Sequence, residues 1–212
     1  MKVTRSQILN AGMDELNRAG IAGFSVRNVA RSLGVRSGAL YYYVPSRTTF
    51  LSELAGIVAN AAMEPGANSN GASSWQDEVA DRCERFRQAL LAVRDGALLL
   101  ALAPSLNSPG VLAWMEGLLQ TLVATGLHID MARSAADTLA SYIVGFVLQE
   151  QQAALAPSDV PPLSLDQFPL IASGLSGASG DDERAGSDEG FRAGIALIVA
   201  AIDATSTRDA RS

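Results

Sequence analysis

The chain has 212 residues, 48% of them hydrophobic and 18% charged, with a formal net charge of −6. So much apolar material with so small a net charge excludes disorder across the whole chain, and no apolar run approaches the roughly 18 residues of a membrane span. One cysteine, Cys83, excludes an intramolecular disulfide or a cysteine metal cluster, and one histidine, His128, excludes a His-pair zinc site.

Taken in chain order, the sequence reads as helices. Ile8, Ala11, Gly12, Leu16 and Ala19 form a first helical stripe that Gly20 stops. Ser25 caps a short helix over 26–33, ended by Gly34, and a third short helix covers 37–43. Val44 and Pro45 break the pattern. Ser46 caps a fourth helix to about Met63, and the turn-rich segment 64–74 follows. A long helix is expected over 75–93, with shorter pieces over 95–103 and 110–125 punctuated by Pro104 and Pro109. Asp130 caps a long helix to about Leu155, in which Leu139, Tyr142, Ile143, Phe146 and Val147 share a face. After a break at 156–162 come a weak helix near 164–172 and a Gly/Ser/Asp-rich segment, 173–190, read as a flexible loop. A final helix spans 191–204, with Phe191, Ile195, Ile198, Val199 and Ile202 on one face. Period-2 strand patterns are nearly absent, so the fold class is all-α. The N-terminus has no apolar signal core, and a cytoplasmic location is the expectation.

The charge is split. Residues 1–60 carry seven Lys or Arg against three Asp or Glu, and the remainder carries nine against nineteen. A basic head on an acidic body fits a molecule that meets a polyanion with its first segment only. Within that segment, 26–33 and 37–43 with the turn between them read as helix, tight turn, helix. Val29, Leu33, Val35 and Leu40 supply the small core, and Ala30 leaves room where the helices cross. This is the helix-turn-helix pattern, whose second helix enters the major groove N-terminus first.

The residue types around the second helix suit DNA. Ser37, Gly38 and Ala39 are small enough for close approach to base edges, where Ser37 can hydrogen-bond and Ala39 can touch a thymine methyl. Arg27 can read guanine bidentately, the alternative being a phosphate contact or a solvated surface role. Arg36 flanks the same helix. Tyr41, Tyr43 and Arg47 suit phosphate contacts that fix register. Tyr42 faces another side and is expected to pack or to touch DNA only peripherally.

The run from Phe24 to Leu54 resembles the DNA-binding domain of the TetR family of bacterial transcriptional regulators. Val29-Ala30, Leu33-Gly34-Val35, Ala39-Leu40-Tyr41 and the turn into Arg47 carry the likeness. Ser74-Trp75-Gln76, Phe86-Arg87, Ala89-Leu90-Leu91, Arg94-Asp95-Gly96-Ala97, residues 145–155 and the last helix resemble the ligand domain of the tetracycline repressor class. The resemblance implies a helix-turn-helix DNA-binding domain over 1–45, a connecting helix over 46–63 and a ligand-binding and dimerisation domain over 64–205. It also implies a homodimer built on helices 130–155 and 191–204, where small Ala193, Gly194, Ala196 and Ala200 admit close backbone approach, and hence a palindromic double-stranded operator.

The implied effector is a small, largely apolar molecule, with Met63, Arg82, Phe86, Leu100, Trp114, Met115, Leu118 and Gln149 as candidate lining residues. Tetracycline repressors place two histidines and an asparagine where this chain has Met63, Leu100 and Arg82, and only Phe86 is retained. Tetracycline sensing is therefore expected to be lost, with no metal and no cofactor. Arg82 is read as a salt-bridge partner of Glu78 or Asp81-side neighbours on a solvated face, with a ligand carboxylate or phenolate as the alternative. His128 is read as a surface or hinge residue. No catalytic constellation is present in the sequence, and the chain is not read as an enzyme. The implied function is a repressor released from its operator by an effector, through residues 95–105 moving the fourth helix. A ligand-independent regulator or an activator of the same fold is the alternative.

Overall fold

Ten α-helices, and no strand among the described residues, make up the computed structural model, which describes residues 3–64, 74–103, 108–155, 164–176 and 183–209. Helix α1 (Arg5–Gly23) opens on a capping box, in which Thr4 Oγ1 accepts from the Gln7 N–H and the Gln7 side chain accepts from the Thr4 N–H. Gly20, the expected stop, breaks the helix with a φ of 68°, and the helix resumes to Gly23. Helices α2 (Val26–Ser32) and α3 (Ser37–Tyr41) flank Gly34, which takes a φ of 67° in open surroundings as the turn requires. Leu40 and Val44 anchor the short third helix in the core of the head. Helix α4 (Arg47–Ala61) is capped by Ser46, whose hydroxyl accepts from the Thr49 N–H at 3.0 Å.

The body consists of α5 (Trp75–Leu91), α6 (Gly96–Leu102), α7 (Pro109–Ala124), α8 (Ile129–Ala153), α9 (Pro169–Ser176) and α10 (Glu183–Asp209). Helix α4 runs from the head into the body and packs on α6 and α7. Its crossing with α7 is glycine on glycine. A Cβ on Gly110 would lie 2.2 Å from the Gly56 carbonyl oxygen, and one on Gly56 would lie 2.7 Å from Ser108 Oγ. One apolar core runs through head and body, including Phe50, Leu54, Phe86, Leu99, Trp114, Leu118, Leu139 and Phe191. Cys83 is buried in it, and burial pushes its thiol up to about 12.

Helix α10 begins at Glu183 rather than at Phe191, so residues 183–190 are helical and not loop, and α9 takes residues 169–176. Residues 177–182 of the expected loop lie outside the described residues. Tertiary contacts explain the early start. Ser187 Oγ donates to Glu150 Oε1 at 2.5 Å, and Asp188 pairs with Arg87 Nη1 at 2.7 Å. Arg87 itself is buried, donates to both Glu150 oxygens, and stands over the rings of Phe146 and Phe191. Burial opposes its charge, but the bonds to Glu150 and Asp188 outweigh that and raise its pKa. Composition favoured a loop, and this cluster overrides it.

Candidate nucleic-acid interface and ligand site

Between Leu16 and Ser52 the sequence holds five arginines and no acidic residue. Three of the five work inside the head. Arg18 donates to Glu15 at 2.9 and 2.8 Å, and Arg31 donates to Asn28 Oδ1 at 2.9 Å. Arg47 Nη2 donates to the Ile21 carbonyl at 2.6 Å with its guanidinium over Phe24. That bond ties the start of α4 to the end of α1. Arg27 and Arg36 are exposed, and no hydrogen bond or ion pair among the described residues engages either side chain. Arg27 stands at the start of α2 and Arg36 at the N-cap of α3, where Gly38 and Ala39 are exposed and Ser37 is half-buried.

The three tyrosines divide differently from the expectation. Tyr42 is 87% exposed and Tyr41 50%, while Tyr43 packs against the core, with the Tyr42 and Tyr43 rings edge to face. Helix α3 ends at Tyr41 and its last turn tightens, so the Tyr43 N–H reaches the Leu40 carbonyl at 2.9 Å. That tightening rotates Tyr43 inward and leaves Tyr42 outside. Under the head, the buried Glu15 accepts from Asn28 Nδ2 at 2.8 Å as well as from Arg18. Burial alone would raise its carboxyl, but the Asn28 and Arg18 bonds hold it below the usual carboxylate range.

Head and body are joined at Asp95. This residue adopts a left-handed φ of 56°, and its carboxylate accepts the Ile21 N–H at 2.8 Å. Gly20 sits against it, where a Cβ would lie 2.5 Å from Asp95 Oδ2. Arg94 adds two bonds, from its N–H to Asn17 Oδ1 and from Nη1 to the Arg18 carbonyl, both 2.9 Å.

Of the candidate ligand residues, the structure brings Arg82, Phe86, Trp114 and Leu118 together between α5 and α7. Phe86 and Trp114 are buried and stacked, with centroids 4.2 Å apart. Leu118 is fully buried, and Leu100 and Met115 are half-buried against the core. Arg82 does pair with Glu78, at 3.5 Å, but not on a solvated face. Its side chain is only 17% exposed and lies against Gly117 of α7. Met63 is at the surface just beyond α4. Gln149 is exposed on α8 and lines a different groove, of about 740 Å³, with Arg87, Gln88 and Asp188. Met63 and Leu100 offer no oxygen or nitrogen donor, and no group of three or more His, Cys, Asp or Glu among the described residues is placed to hold a metal. His128 is exposed at the start of α8, 3.4 Å from Asp130.

The small residues of α10 face their own subunit in part. Gly194 receives the Tyr142 hydroxyl, and Ala196 and Ala200 line a groove of about 430 Å³ against α5. Leu197, 74% exposed, and Ile129 and Met131 on α8 stand outward. No helix among the described residues is long and apolar enough to cross a membrane.

Residues 8–54 match the family of bacterial regulatory proteins called the tetR family, and residues 67–206 match the tetracyclin repressor-like C-terminal domain. The class A tetracycline repressor protein of transposon 1721 from Escherichia coli is 30% identical over 93% of this chain and 89% of its own length. A possible TetR family transcriptional regulator from Streptomyces coelicolor A3(2) superposes with a TM-score of 0.77 at 28% identity, covering 95% of this chain and 100% of that one. BioQ in complex with its double-stranded DNA operator superposes with a TM-score of 0.63 at 25% identity, covering 83% and 99%. With its basic helix-turn-helix head, its helical body and matches across both, the chain belongs to the tetR family of bacterial regulatory proteins.

Proposed function

We propose that this protein is a sequence-specific DNA-binding repressor, a homodimer that holds a palindromic operator and releases it when a small molecule occupies the α5–α7 interface. The observation that carries the DNA-binding part is the pair of unengaged, exposed arginines, Arg27 at the start of α2 and Arg36 at the N-cap of α3, the latter next to the small N-terminal residues of α3. In a head without an acidic residue between positions 16 and 52, their charges meet a duplex with no ion-pair partner among the described residues to give up. Arg27 reads a base edge. Arg36, Tyr41 and the free donors of Arg47 meet phosphates, and Ser37, Gly38 and Ala39 approach the bases. Tyr43 supports α3 from below.

The outward Leu197, Ile129 and Met131 on α8 and α10 support the dimer, since such a surface is costly in water. Two heads related by a two-fold axis then read half-sites one helical turn apart. The effector acts by preferring a state in which the heads have separated. The Asp95–Ile21 bond and the Gly56–Gly110 crossing are the two rigid joints through which α6 and α7 move the head.

Selection of bound duplexes from random DNA, at about 150 mM salt so that non-specific phosphate binding is suppressed, tests the reading. Recovery of one palindrome with two half-sites supports it. Recovery of single half-sites refutes the dimeric mode, and recovery without any sequence preference refutes specific recognition.

A further inference from the structure

Helices α5 and α7 meet through three rungs one helical turn apart. Thr121 Oγ1 donates to Glu78 Oε1 at 2.8 Å, Arg82 lies on Gly117, and Phe86 stacks on Trp114. Positions 78, 82 and 86 step by four along α5, and 121, 117 and 114 step back along α7, so the rungs share one face of each helix.

Two of these rungs hold a buried N–H that finds no acceptor among the described residues: Arg82 Nε and Trp114 Nε1. Buried donors are paired in the great majority of cases, and an orphan calls for a reason. Trp114 is 1% exposed, so water does not reach its donor freely. The guanidinium is seated by design of the sequence. A Cβ at position 117 would stand 2.5 Å from Arg82 Nη1, so α7 gives up helix propensity at Gly117 to admit it. The one acidic side chain that pairs with it among the described residues holds it loosely. Glu78 Oε1 lies 3.5 Å from Arg82 Nη2, at the edge of hydrogen bonding, and the same oxygen is taken at 2.8 Å by Thr121.

Resting on the reading of this interface as the effector site, we propose that the effector is a flat aromatic oxyanion, a carboxylate or phenolate, bound without a metal. Its ring joins the Phe86–Trp114 stack, where offset and edge-on aromatic packing are favourable. Its oxygen accepts from Trp114 Nε1 and from the Arg82 guanidinium, whose planar fork matches a carboxylate and whose charge strengthens the bond. Ligand entry thereby satisfies both orphan donors at once, and it does so on α7, four residues from the Gly110 that rests on α4.

Calorimetric titration of the full-length protein tests this with two probes that differ only in the oxyanion, 2-naphthoate and 2-methylnaphthalene. The expected result is naphthoate binding at least about tenfold tighter, the scale of one charge-assisted pair. Arg82→Gln should erase that preference, bringing naphthoate down to the affinity of methylnaphthalene for the same variant, and Trp114→Phe should reduce it while keeping the aromatic stack. If Arg82→Gln does not fold, Gly117→Ala, which displaces the guanidinium, should give the same loss. Equal binding of the two probes, or a preference that survives in the arginine variant, overturns the oxyanion assignment and leaves the site standing. Binding of neither probe, or binding indifferent to Phe86→Ala, overturns the site and the assignment together.

Discussion

The carboxylate of Asp95 accepts the backbone N–H of Ile21 at 2.8 Å, across 74 residues of sequence. It does so from a left-handed backbone that Asp tolerates better than most residues. One side chain thus links the first residues of α6 to the break in α1. Asp95→Ala removes a charge-assisted bond and leaves Ile21 N–H to find water, a cost of about 1.5–3 kcal/mol. The variant should melt several degrees lower and respond to effector over a reduced range of operator affinity. Thermal unfolding and effector titration against a labelled operator duplex read the two effects.

Arg27 and Arg47 should separate in mutagenesis although both are arginines of the same head. Arg27→Ala should cost about 1–3 kcal/mol of operator affinity and relax the preference at a single base pair, with folding unchanged. Arg47→Ala should weaken binding to all sequences alike and flatten the salt dependence. Because Arg47 also holds the Ile21 carbonyl, that variant should in addition lose thermal stability. Equal effects of the two on specificity would overturn the placement of α3 in the groove.

Glu15 gives the head a signature in acid. Its folded carboxyl titrates below the ordinary value of 4.5. The stability it contributes is therefore complete above that pH and is lost as pH falls through the folded value. Glu15→Gln should lower stability at neutral pH, where Arg18 loses its partner, and should flatten the decline below about pH 4.5. Melting temperatures of both proteins between neutral and acid pH measure the difference.

Gly110→Ala would place a methyl 2.2 Å from the Gly56 carbonyl oxygen. Neither backbone can yield without moving α4 or α7. Overpacking of this kind costs about 1–3 kcal/mol. Operator affinity should fall with it, because the displaced helix carries the head. A variant that keeps wild-type stability and affinity would show that the crossing is slack and transmits nothing.

The head was the most legible part of the chain, because its signals are local. Glycine at 34, serine at 46 and the Val29–Leu40 spacing act within a few residues of themselves, and the helices form where those signals place them. Legibility ended where a side chain's role is set by the contact it makes in the folded head or body, near or far along the chain. Arg18, Arg31 and Arg47 look like Arg27 and Arg36 in sequence, and only their contacts to Glu15, Asn28 and Ile21 separate them. Helix geometry placed Tyr42 off the face of Tyr41, but it assumed a uniform α-helix, and the tightened end of α3 reversed which tyrosine packs. The start of α10 is written in Arg87 and Glu150, neither of which is near it in sequence. In sequence Arg82 shows only the acidic residues of its own helix as partners, and the glycine that seats it sits 35 positions later.

Burial of Cys83 has a practical consequence for following this protein at work. Its thiol, pushed up to about 12, is not a thiolate at neutral pH, and thiolates are the species that alkylating reagents attack. A cysteine engineered onto the surface of each head therefore reacts alone in the folded protein. In the proposed dimer a pair of dyes so attached would report the distance between the two heads, with the native thiol silent until the core itself opens.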